Sequence, residues 1–69
     1  MKENNDTKYT NLKIIRTTNP YAEVYSGKYI DDISPYLKQK GTYCVEITAK
    51  YSLVETKIYF YFKNYLSND

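Results

Sequence analysis

The sequence predicts an α+β fold: a small antiparallel β-sheet of about four strands in the order β-β-α-β-β, with one short helix packed on one face. Three observations predict it. Between Thr42 and Lys63 the apolar residues alternate strictly and switch phase once, near Tyr51 and Ser52, as the two arms of a hairpin do. Two shorter β-type runs flank Thr18-Asn19-Pro20, a turn signal because Asn tolerates tight geometries and Pro fixes its φ angle. Between Gly27 and Gly41 the spacing becomes helical, with Ile30, Ile33 and Leu37 on one side.

Taken in order, residues 1–10 lack hydrophobic periodicity and read as a flexible N-terminal tail, 11–66 as the single α+β domain, and 67–69 as a C-terminal tail. The first strand runs from Leu12 to Thr17 and the second from Tyr21 to Ser26. A three-residue turn between them sets Ile14 against Val24 on the core side and turns Lys13, Tyr21, Glu23 and Tyr25 outward. The helix follows, with Ser34-Pro35 as N-cap and first helical residue, Lys38 and Lys40 near the negative end of its dipole, and Gly41 at the left-handed stop. A start at Asp31 or Asp32 makes it one turn longer.

For the second hairpin the expected register sets Ala49 opposite Val54, Ile47 opposite Thr56, Val45 opposite Ile58 and Tyr43 opposite Phe60. The other face then pairs Glu46 with Lys57. Apolar matches on one side and an opposite-charge match on the other are what cross-strand energetics favour. Thr56 is the one polar residue on the core face, which assigns it a place the helix does not reach or a carbonyl for its hydroxyl.

A chain of 69 residues buries only about 60% of its unfolded surface. The single cysteine, Cys44, excludes an intramolecular disulfide, and the lack of histidine removes the usual zinc site of small domains. Self-association or partner binding thereby gains weight. The polar start, Met1 to Asp6, has no apolar signal core and no run is long enough to cross a bilayer, so the expected compartment is cytoplasmic. Asn5-Asp6-Thr7 fits a glycosylation acceptor that has no meaning without secretion. The bias toward Lys, Asn, Ile and Tyr, with Arg16 the only arginine, is what AT-rich coding produces, as in phages and mobile elements.

No catalytic residue, cofactor or metal ligand set emerges. The commonest general base is missing, and Cys44 beside Val45 on a strand reads as an inert thiol with no neighbour to lower its pKa. Asp31 and Asp32 read as caps rather than as a cation site. Gly27 and Gly41 stand alone, each accounted for by a turn or helix stop, so there is no phosphate-binding loop.

The unusual quantity is tyrosine, 10 in the chain. Tyr59 and Tyr61 alternate with Phe60 and Phe62, sharing their direction with Lys57 and Lys63, while Tyr21 and Tyr25 turn outward with Lys13. Such a surface is amphipathic and costs little side-chain entropy on binding. These seven residues are the expected partner-binding set of a non-enzymatic protein-binding module, an inhibitor of a host or defence protein or a homodimer seam. The alternative is a single-stranded nucleic-acid binder, with bases stacked on sheet tyrosines. Ile58-Tyr59-Phe60-Tyr61-Phe62 resembles the aromatic strand of RNA-recognition sheets, without that motif's glycines and with one helix fewer.

Overall fold

The structure is a computed structural model and describes residues 7–65. Four strands, β1 (Thr7–Arg16), β2 (Ala22–Lys28), β3 (Gly41–Tyr51) and β4 (Val54–Asn64), form one fully antiparallel sheet in the spatial order β2-β1-β3-β4. The two predicted hairpins are present and join through β1 and β3. The tails at residues 1–6 and 67–69, and the final domain residue 66, lie outside the described residues. β1 begins at Thr7, so Thr7 to Tyr9, read from sequence as tail, pair with β3, and Thr10 forms a bulge before the pairing resumes at Asn11.

The packed helix is not there. Residues 29–40 cross from β2 to β3 over one face of the sheet with a single 3-10 turn at Ser34–Tyr36. Sheet side chains bind the carbonyls that the last turn of a helix would have left open. Arg16 donates from Nη2 to the Lys40 carbonyl (2.7 Å), the Tyr43 hydroxyl to Gln39 (2.6 Å), and Asn64 from Nδ2 to Leu37 (3.3 Å) and Gln39 (3.0 Å). The Asp32 carboxylate accepts from the Ser34 N–H (3.0 Å), a local turn that competes with helix. Only five residues separate Pro35 from Gly41, too few to repay helix nucleation against those bonds. Gly41 is therefore the first residue of β3 rather than a helix stop, at φ +150°.

The core lies on the face beneath this crossover. Ile14, Tyr43 and Val45 are sealed there with Leu12, and Tyr29, Ile30, Ile33, Tyr36, Leu37 and Phe62 pack against them. Among the described residues no helix is long and apolar enough to cross a membrane, which says nothing of strands.

Both hairpin registers differ from expectation. β3 and β4 are joined by a two-residue loop, Ser52-Leu53, that pairs Tyr51 with Val54, whereas the expected loop held four residues. Ser52 at φ +57° supplies the positive φ that a II′ hairpin turn demands of its first loop residue. The pairs become Ala49–Thr56, Ile47–Ile58, Val45–Phe60 and Tyr43–Phe62, and Glu46 faces Tyr59 while Thr48 faces Lys57. The displacement is two residues, so every side chain keeps its predicted face. The tighter loop brings Tyr43 onto Phe62, with ring centroids 5.7 Å apart and planes 16° apart, and sets Lys50 opposite Glu55. Thr56 is exposed, beyond the crossover.

In the first hairpin a β-bulge between Ile14 and Ile15 pairs Ile14 with Tyr25 instead of Val24. The extra residue brings Val24 and Tyr25 both against the core. Tyr25 is thus not outward: its ring meets Tyr36 at 4.8 Å and its hydroxyl donates to the Lys28 carbonyl (2.6 Å).

Candidate functional site

The face opposite the crossover carries no covering layer among the described residues, and strand alternation decides what it displays. Each rung runs across the sheet through paired positions. One holds Ser26, Lys13, Glu46 and Tyr59; the next holds Glu23, Ile15, Cys44 and Tyr61. Beyond Tyr59 comes Lys57 opposite Thr48, and beyond Tyr61 comes Lys63 opposite Thr42. Five of the seven residues predicted from sequence, Lys13, Lys57, Tyr59, Tyr61 and Lys63, therefore share one open face. Tyr25 lies in the core layer, and Tyr21, exposed in the turn before β2, stands apart from the β4 tyrosines.

Tyr59 and Tyr61 are 58% and 68% exposed, and Glu46 and Cys44 stand directly opposite them on β3. A hydrogen bond to Glu46 is the main cause holding the Tyr59 phenol above its ordinary pKa. A hydrogen bond to Cys44 does the same for Tyr61. Lys57 donates from Nζ to the Thr48 hydroxyl (3.2 Å), which lays its stem over β3 and buries Thr48. Two aromatic rings on an edge strand give an exposed amphipathic surface whose side chains have few torsions to freeze on binding.

Charge is unevenly divided. The open face carries Lys8, Lys13, Lys28, Lys50, Lys57 and Lys63 against Glu23, Glu46 and Glu55, an excess of three positive charges where the whole chain has a net +2. Composition alone hid this, because it averages the face with Glu3, Asp6 and Asp69 near the ends of the sequence, while Asp31 and Asp32 of the crossover are balanced by Lys38 and Lys40. Sequence reasoning also missed Ile15 and Cys44, the half-buried apolar centre of the Tyr61 rung. Their signal was alternation within β1 and β3, which turns Ile15 and Cys44 away from the core residues Ile14, Tyr43 and Val45; the β1–β3 pairing that brings them together joins segments far apart in sequence.

Among the described residues no group of three or more His, Cys, Asp or Glu side chains could hold a metal ion, and Cys44 is a free, half-buried thiol. No family model, curated protein or solved structure matches the chain.

Proposed function

We propose that this chain is a small non-enzymatic protein-binding module that lays its open sheet face on an acidic patch of another protein. The observation that carries the reading is the convergence of Tyr59, Tyr61, Lys13, Lys57 and Lys63 on one uncovered, net-positive face. Tyr59 and Tyr61, opposite Glu46 and Cys44, serve as anchors, and the surrounding lysines steer the encounter and set its salt dependence. Blocking a surface on a host or defence protein is a task that needs only this equipment. The AT-rich residue bias fits an origin in a phage or mobile element, and the expected setting is the cytoplasm.

The experiment is affinity capture from host lysate with the wild type and with a Tyr59→Ala, Tyr61→Ala variant, the retained protein then being titrated as a purified partner. Truncating real anchors should weaken binding by about 2 kcal/mol or more. Unchanged affinity in the folded double variant overturns the assignment.

The lysine excess favours a second reading, in which single-stranded nucleic acid stacks on Tyr59 and Tyr61 while lysines follow its backbone. Quenching of tyrosine fluorescence by short oligonucleotides, weakening as salt rises, would favour this reading over an acidic protein surface.

A further inference from the structure

The edge of the sheet carries a second message, independent of the open face. β4 is an 11-residue edge strand with no described segment beyond it, and natural proteins rarely leave a long edge bare. Its backbone polarity can be read from the other side of the sheet. The Thr42 carbonyl of β3 accepts from the Thr17 N–H following β1 (2.8 Å), so even-numbered positions of β3 turn their backbone groups toward β1 and odd-numbered ones toward β4. In the observed register the odd positions of β3 meet the even positions of β4, such as Tyr43 with Phe62. The N–H and C=O groups of Glu55, Lys57, Tyr59, Tyr61 and Lys63 therefore point outward along the free edge.

We propose that this edge is the seam of a homodimer, in which β4 of two copies pairs antiparallel about a two-fold axis at Tyr59. In that register the five outward-pointing residues of one copy oppose the same five of the other, and every free edge group finds a partner. Glu55 faces Lys63 of the second copy, twice by symmetry, and Lys57 faces its Tyr61. On the core side Ile58 meets Phe60 of the second copy, which covers two apolar residues left 42% and 44% exposed in the single chain. Two four-stranded sheets become one of eight, and the Tyr59 and Tyr61 pairs of both copies lie side by side on the open face.

Charge selects this register over its neighbours. Moving the axis one residue toward Phe60 sets Lys57 against Lys63 of the second copy, two like-charge pairs; moving it toward Ile58 removes the Glu55–Lys63 pairs and shortens the overlap. Lys57 and Lys63, which block indiscriminate edge pairing, thus permit one self-complementary alignment.

The test combines sedimentation with charge reversal. Wild-type protein at submillimolar concentration should sediment as a dimer. Lys63→Glu alone, or Glu55→Lys alone, creates two like-charge pairs and should weaken dimerisation at least about tenfold, with unchanged circular dichroism. Mixing the two variants should restore a dimer, because the heterodimer regains both opposite-charge pairs. Should a variant fail to fold, amide exchange in the wild type decides: the N–H groups of Lys57, Tyr59 and Tyr61 should gain protection as concentration rises. A monomeric wild type, variants that dimerise as tightly as wild type, a mixture no tighter than its components, or outward amides that stay unprotected would each overturn the proposal.

Discussion

The Arg16 guanidinium occupies the space that a side chain at Gly41 would need: a Cβ there would lie 2.9 Å from Nε and 3.1 Å from Nη2. Arg16 is 8% exposed, and donates from Nη1 to the Thr18 (3.0 Å) and Pro20 (2.9 Å) carbonyls and from Nη2 to that of Lys40. One side chain thereby ties the first turn to the end of the crossover, while its Nε, beside Gly41, is buried with no hydrogen-bond partner among the described residues. Gly41→Ala should cost about 1–3 kcal/mol, combining a disfavoured φ with displacement of the guanidinium. Arg16→Lys cannot reproduce the fork and should cost about as much as a charged hydrogen bond, about 1.5–3 kcal/mol. Urea unfolding of both variants checks this, and a midpoint equal to that of wild type in either would refute the clamp.

The core is one-sided, and truncations should report it. Ile14 is fully buried between Tyr25 and Val45 in the register, so Ile14→Ala should cost about 2–5 kcal/mol. Phe60 on the same face lies beyond the crossover and is 44% exposed; Phe60→Ala at dilute, monomeric concentration should cost clearly less than Ile14→Ala. Equal losses would place a covering layer where none is described.

Ser52 holds a positive φ that a glycine adopts without steric penalty. Ser52→Gly should therefore be neutral to stabilising by about 0.5–1 kcal/mol, because relief of strain exceeds the added freedom of the unfolded chain. A loss of more than about 1 kcal/mol in thermal unfolding would show that the loop has a different geometry.

The phenols of the open face should titrate late. Hydrogen bonds to Glu46 and Cys44 raise the pKa values of Tyr59 and Tyr61 above the ordinary 10.0. The folded state therefore favours their protonated forms, a contribution fully present below the unfolded value and lost as pH rises through the folded one. Glu46→Ala removes both the acceptor and the charge that raise Tyr59, and the late component of the ultraviolet absorbance titration should shrink. An identical curve would mean that the Glu46–Tyr59 contact does not form in solution.

Strand alternation from Tyr43 to Phe62 was legible because burial on one face repeats every second residue, and a two-residue slip leaves that pattern intact. The loop length was not legible: Ser52 is not the glycine that announces a II′ turn. Tyr25 was misassigned for a related reason, since a bulge changes the phase of everything beyond it and leaves no compositional mark. The helix between Ile30 and Leu37 failed because its spacing is real while the decisive partners of its carbonyls, Arg16, Tyr43 and Asn64, lie far away in sequence. The β4 portion of the site was legible because Tyr59, Tyr61, Lys57 and Lys63 sit on a single strand, where neighbours in sequence determine the face.

The account depends most on Tyr59 and Tyr61 standing on an open face that a partner covers, and hydroxyl-radical footprinting read residue by residue tests this most directly. In the free protein Tyr59 and Tyr61 should oxidise about as fast as the exposed Tyr21, with Tyr43 protected; with partner bound, Tyr59 and Tyr61 should become protected while Tyr21 stays reactive. Free protein in which Tyr59 and Tyr61 react as slowly as Tyr43, or a complex in which they remain as reactive as Tyr21, would contradict it.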